Sequence, residues 1–106
     1  MAFFDFLRHP DTNALVEEYS NTHNALLIDV RSPQEYSGSR IPDSINIPVE
    51  NIDKVDSVAE NKDVPLYVYC QSGMRSSQAV SRLHHLGYKN AKNIGGIMAY
   101  SGKLEK

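Results

Sequence analysis

Pro65-Leu66-Tyr67-Val68-Tyr69-Cys70-Gln71-Ser72-Gly73-Met74-Arg75-Ser76-Ser77 changes periodicity within a single turn, and that change decides the fold. Leu66 to Tyr69 is a short apolar and aromatic run after a proline, which predicts a buried strand. Further on, Val80, Leu83 and Leu86 recur at helical spacing. Ser76 or Ser77 is placed to cap that helix and Gly87 to stop it. The turn between strand and helix opens with the only cysteine of the chain. A strand running through a tight loop into a helix aims amide N–H groups and the positive end of a helix dipole at one point.

A thiol at such a point ionises readily. Free cysteine titrates at about 8.5, and helix N-termini or nearby cations bring it to roughly 3.5–7.5. Arg75 is the candidate cation, and Gly73 lets the backbone curl so that several N–H groups converge. Gln71, Ser72 and Met74 are uncharged and suited to the mouth of a pocket. The plainer reading, a small apolar residue closing a buried strand, leaves the spacing of Gly73, Arg75 and the two serines unexplained.

On either side of this stretch, short strands and helices alternate. Thr12 to Tyr19, preceded by Pro10-Asp11, predicts an amphipathic helix with Glu17 and Glu18 outward, and Asn21 to Asn24 a polar turn. Ala25 to Val30 is an almost unbroken apolar run, as in a parallel strand covered on both faces. Ser32 then caps a short helix with Pro33 at its first position. Ile41 to Pro48 alternates between prolines and predicts a short strand. Asn51 to Glu60, with Ile52, Val55 and Val58 at threefold spacing, predicts another short helix. Ala91 to Ile94 predicts a last strand broken by Gly95-Gly96, followed by a turn or helix over Ile97 to Tyr100. Phe3, Phe4, Phe6 and Leu7 complete the expectation with a first short strand or turn. The result is an α/β domain with a central, mostly parallel sheet of about five short strands flanked by helices. In such a sheet a site belongs beyond the carboxyl ends of the strands, where Cys70 falls.

Composition bounds the function. The 106 residues suit one domain, 1–106, and 41% apolar with 23% charged residues are globular values. A net charge of −2 without a basic run favours neither nucleic acid nor an anionic membrane as partner. One cysteine excludes an internal disulfide and any zinc site built on two thiolates, and it suits a reducing compartment. The N-terminus lacks a basic n-region and an uninterrupted apolar core, and no segment is long enough to span a bilayer, so a cytoplasmic protein is expected.

Three stretches together resemble the rhodanese-like domain family. Leu27-Ile28-Asp29-Val30-Arg31 with Glu35-Tyr36, Gly38, Ile41-Pro42 and Ile45-Asn46-Ile47-Pro48 is similar to its first signature. Tyr67 to Ser76 is similar to its active-site loop, and Asn93-Ile94-Gly95-Gly96-Ile97 to its closing glycine pair. The resemblance runs from about residue 25 to 102. It implies a three-layer fold and a single-domain thiosulfate or persulfide sulfurtransferase without a cofactor or metal. Cys70 would carry a persulfide, with Arg75 as the second catalytic residue. Gln71, Ser72, Gly73, Met74 and Ser76 would bind the small anionic sulfur donor. The acceptor would be cyanide or a thiol, and Met74 at the pocket mouth points to a larger acceptor such as a protein thiol. Arg40 stands where the family commonly has histidine, Asp43-Ser44 where it has Gly-Ala, and Tyr100 where it has tryptophan. These departures bear on packing, on the outer rim and on substrate preference.

The expected chemistry is a two-step transfer. The Cys70 thiolate attacks the outer sulfur of the donor, and an acceptor then takes that sulfur from the persulfide. No general base is required if the loop has already lowered the thiol pKa. A cysteine phosphatase or arsenate reductase is the nearest alternative, but four residues separate Cys70 from Arg75 where the phosphatase pattern has five. A thioredoxin-like redox thiol lacks its second cysteine because residue 73 is glycine. A non-catalytic interaction module that keeps the loop is the remaining alternative. His9, His23, His84 and His85 lack metal-ligand spacing, and His84-His85 suits the negative end of a helix dipole. Arg31 and Asp29 read as a structural ion pair. Tyr67 and Tyr69 read as one face of the central strand packed on a helix.

Overall fold

The computed structural model describes residues 10–106. The strand or turn expected at Phe3 to Leu7 lies outside the described residues. Four strands, β1 (Leu26–Asp29), β2 (Ile45–Asn46), β3 (Leu66–Cys70) and β4 (Ala91–Gly96), form one sheet in the order β2-β1-β3-β4. All three pairings are parallel. The sheet expected to be mostly parallel is thus wholly so among the described residues, with four strands where about five were expected.

Side chains alternate across each strand and build two cores. Leu66, Val68 and Cys70 of β3 face helix α3 (Met74–His85) and a 3-10 segment, Val49–Ser57, packing with Ile28, Val30, Ile52, Val55, Ala79 and Leu83. Tyr67 and Tyr69 point the other way with Leu27, Ile41, Ile94 and Ile97, covered by Leu15, Val16 and Tyr19 of helix α1 (Thr12–Ser20). This gives three layers. Leu83 and Val55 have 0% exposure, and each such burial stabilises by roughly 2 kcal/mol. No described helix is long and apolar enough to cross a membrane.

Local chemistry explains most boundaries. Asp11 caps α1 by accepting the Ala14 N–H. Ser32 caps α2 (Pro33–Gly38) in a reciprocal box with Glu35. The threefold spacing of Ile52 and Val55 becomes a 3-10 helix, with three residues per turn, while Val58 leaves the apolar face and is 41% exposed. Helix α3 stops as expected at Gly87, where the Tyr88 N–H bonds back to the Leu83 carbonyl.

Three expectations are corrected. Only Ile45–Asn46 of the stretch Ile41 to Pro48 is strand. Proline supplies no N–H at either end, Asp43 turns the chain at φ +74°, and the Ile41 N–H goes to the Tyr69 hydroxyl. The pair Gly95-Gly96 does not end β4 but continues it, with a register shift opposite the step from Val68 to Cys70. Helix α3 starts at Met74, two residues before the serines expected to cap it, and Gly73 occupies the cap position without a side-chain bond.

Candidate active site

Strand parity points the Cys70 side chain toward the start of α3. Gly73 adopts φ +104°, a conformation that costs a side-chain-bearing residue strain. The curl this allows brings the Gly73 N–H to 3.0 Å from Cys70 Sγ. The sulfur thereby accepts an amide of the turn that leads into α3. Ser76 is fully buried, with its hydroxyl 3.4 Å from Sγ, so it serves the cysteine and does not reach the mouth of the loop. Burial pushes the thiol pKa up, but the Ser76 hydroxyl and the amides of Ser76, Gly73 and Ser72 outweigh it, and the net direction is down.

The sulfur sits at the floor of the loop, with Cys70 only 1% exposed. Gln71, Ser72 and Met74 are exposed around it. Met74 and Met98, 75% and 70% exposed, flank a cavity of about 470 Å³ lined also by Thr12, Ser72, Gly95, Gly96 and Ala99. A second cavity, of about 410 Å³, shares Ser72 and Met74 in its lining and reaches Ser77, Gln78 and Asn93.

Arg75 is engaged differently from the sequence expectation. Its Nη1 and Nη2 donate to the two carboxylate oxygens of Glu35 at 2.7 and 3.0 Å. The largest lowering influences on the thiol pKa are hydrogen-bond donors, while the Arg75 charge also interacts with Cys70. Arg75 holds the Glu35 carboxyl at about 2, against the opposing effect of burial. Because Glu35 also accepts the Ser32 N–H, one carboxylate ties the start of α2 to the start of α3. Glu35 was legible only as a member of a signature, since its partner lies 40 residues away.

The loop is also fastened to β4. A Cβ on Gly96 would stand 2.0 Å from the Gln71 carbonyl oxygen, so only glycine admits the loop at this distance. The Met98 N–H donates to the same oxygen at 3.2 Å. Asn93 bonds to Ser76, Gly73 and Gly95, a set of contacts that its place in the closing motif did not reveal.

Behind the loop, the Asp29 carboxylate accepts the Arg31 backbone N–H at 2.8 Å and the guanidinium at 2.8–3.1 Å. Both residues are buried, so they form the structural pair that the sequence suggested. The departures from the family pattern also find places. Arg40 lies over the Tyr36 ring and pairs with Glu105. Asp43 supplies the positive φ for which a glycine is suited. The Ser44 hydroxyl joins Tyr69 to the Ile41 carbonyl. Tyr100 packs against the core face shared by Tyr67 and Tyr69. His84 is bonded through Nε2 to the Ala91 carbonyl, 2.8 Å away.

Comparison with known proteins agrees with this architecture. The family model described as "Rhodanese-like domain" matches residues 12–103. A sulfurtransferase of Allochromatium vinosum is 34% identical over 93 residues, covering 86% of this chain and 85% of that protein. The thiosulfate sulfurtransferase PspE of Escherichia coli is 34% identical over 71 residues, covering 66% of this chain and 68% of that protein. Among solved structures, a rhodanese with anions from E. coli superposes with a TM-score of 0.73 at 30% identity, covering 77% of this chain and 98% of the other. Against the adenylyltransferase and sulfurtransferase of Ogataea parapolymorpha the chain is 34% identical over 96 residues, 90% of its own length, but spans only 25% of that protein.

Proposed function

Since this chain belongs to the rhodanese-like domain family, with sulfurtransferases among its relatives, we propose that it moves a sulfane sulfur from thiosulfate or a persulfide donor to a thiol or cyanide acceptor through a persulfide on Cys70. The observation that carries this reading is the Gly73 N–H, 3.0 Å from Sγ and paired with the Ser76 hydroxyl, in a loop that depresses the thiol pKa. In the first step the thiolate attacks the outer sulfur of thiosulfate. The new S–S bond forms as the S–SO₃ bond breaks, and sulfite leaves with the bonding pair. In the second, a thiolate or cyanide attacks the outer sulfur, and Cys70 departs as thiolate. Each step displaces a stable anion, so no general acid is required.

Proton demand and fit favour sulfur over phosphate. The short span of four residues from Cys70 to Arg75 gives a tighter loop than the five-residue phosphatase pattern. In this reading Gln71, Ser72, Gly73 and Met74 line the donor's approach. Arg75, braced by Glu35, presents its remaining N–H groups to the donor's oxygens. The thiosulfate assignment takes support from the relative named for that activity. The exposed Met74 and Met98 support a protein thiol as acceptor over cyanide. A lone thiol of this kind works in a reducing compartment, so we place the reaction in the cytoplasm.

Intact-mass spectrometry after thiosulfate treatment tests the proposal. The wild type gains the mass of one sulfur atom, reversed by a thiol acceptor, and Cys70→Ser gains nothing. Absence of the adduct on the wild type, or undiminished transfer by Cys70→Ser, overturns it.

A further inference from the structure

The side-chain amide of Asn93 touches the Ser76 hydroxyl, which reaches Sγ, and the carbonyl of Gly73, without touching the sulfur itself. Its Oδ1 accepts the Ser76 hydroxyl at 2.7 Å and the Gly95 N–H at 2.9 Å. Its Nδ2 donates to the Gly73 carbonyl at 3.1 Å. The orientation of the amide follows from these partners. The Gly95 N–H can only donate and the Gly73 carbonyl can only accept, so the flipped amide would lose both bonds.

We propose that Asn93 is a positioning residue for Cys70, giving the Ser76 hydroxyl an acceptor beside Sγ while the cysteine is a thiol and tying the Gly73 carbonyl to β4. The inference rests on the sulfur-transfer reading for its purpose, and on the three bonds for its geometry.

Proton accounting shows how the arrangement operates. Ser76 has a single hydroxyl proton. While Cys70 is a thiol, its S–H donates to Ser76 Oγ, and the hydroxyl donates to Asn93 Oδ1. When the sulfur ionises, its proton leaves to solvent and the Ser76 hydroxyl turns from Oδ1 to the thiolate. Asn93 Oδ1 keeps the Gly95 N–H and is not left bare. Once the outer sulfur of a persulfide carries the charge, Sγ no longer demands a donor, and the hydroxyl returns to Asn93. The amide thus gives the hydroxyl a second resting place close to the sulfur. Without it the alternative acceptor is the Gly95 carbonyl, 3.4 Å from Oγ, and the Gly73 peptide loses its tie to β4.

The charged groups facing this cluster form two closed pairs, Arg75 with Glu35 and Asp29 with Arg31. A change in the sulfur's titration on altering Asn93 is therefore read through the donors.

The test is the pH dependence of Cys70 alkylation by iodoacetamide, which needs no sulfur donor. Asn93→Ser keeps a short hydroxyl able to hold the Gly95 N–H in a turn, but it does not replace the bonds to Gly73 and Ser76. Its alkylation midpoint is expected to fall, by up to about one pH unit, the scale of one charged hydrogen bond, because the Ser76 hydroxyl no longer gives up a bond to Oδ1 when it turns to the thiolate. Ser76→Ala is expected to raise the midpoint by removing that donor. The double variant Ser76→Ala/Asn93→Ser is expected to match Ser76→Ala, because the asparagine's effect is routed through the missing hydroxyl. Asn93→Ala replaces Asn93→Ser should the latter not fold cooperatively. A midpoint unmoved or raised by Asn93→Ser, or shifts that add in full, overturns the positioning role. In either case sulfur loading of the wild type is unaffected as a result, so failure of this inference and failure of the proposed function are told apart.

Discussion

Replacing Gly96 by alanine places one methyl group against the backbone of the cysteine loop. The new Cβ would lie 2.0 Å from the Gln71 carbonyl oxygen, 2.5 Å from its carbon and 2.6 Å from Ser72 Cα. Comfortable contact needs roughly 3.5 Å, so the loop must retreat by about 1 Å or more. The obstructing atoms are main chain, and no side chain can rotate away. Overpacking of this kind costs about 1–3 kcal/mol. Losing the Met98 N–H bond to Gln71 adds about 1 kcal/mol. A destabilisation of about 3 kcal/mol follows, a large part of the 5–15 kcal/mol typical of a domain. Chemistry suffers further, since a displacement of about 1 Å can lower a rate about 100-fold. Urea unfolding and the single-turnover rate of sulfur loading on Cys70 measure the two effects. Gly38→Ala is the control, because a Cβ there meets nothing within 4 Å and alanine suits the end of α2 at least as well. If Gly96→Ala is as stable as Gly38→Ala and loads sulfur at the wild-type rate, the account of the loop lying flush on β4 is wrong.

Acid should loosen the brace between α2 and α3. The Glu35 carboxyl is held at about 2 against an ordinary value of 4.5. A depressed carboxyl stabilises the fold fully above the ordinary value, and the contribution is lost as pH falls from 4.5 toward 2. With both side chains about one-third exposed, solvent screening reduces this to about 1 kcal/mol. Unfolding midpoints of wild type and Glu35→Gln should therefore differ most at about pH 5 and draw together toward about pH 2, and a difference undiminished at the lower pH counts against the brace. Arg31→Met strands a carboxylate of 0% exposure and should cost about 3–5 kcal/mol; a calorimetric Tm close to that of the wild type is the contrary result. Tyr69→Phe leaves the Ile41 N–H without its acceptor, 3.1 Å away in the native protein, and is expected to cost about 1–3 kcal/mol. Unchanged stability of that variant refutes the assignment of the hydroxyl as its buried partner.

The strand and helix around Cys70 could be read from sequence because each signal is local. Tyr67 and Tyr69 alternate with Val68, and Val80 and Leu83 repeat at helical spacing. Long-range pairing left no such trace. Glu35 and Arg75 meet only after two helix starts have been brought together, and nothing near either residue names the other. Asn93 could be seen only as one letter of a motif, because its partners Gly73 and Ser76 belong to another strand–helix unit. The glycine pair was misjudged for a related reason. Glycine commonly interrupts a strand, but here Gly96 serves an approach between two backbones that becomes visible only once β3 and β4 are paired. The serines expected to cap α3 lie within it, because Gly73 takes the cap position at a positive φ that local propensity does not encode.

The loop that carries Cys70 is tied down by Asn93, Gly96 and Met98, all of them made later by the ribosome. A nascent chain that ends before these residues emerge can collapse around β1 and β3, but it has no β4 against which to draw the amides together. The contacts that hold the cysteine loop are therefore complete only when the last strand of the described sheet has been synthesised and paired.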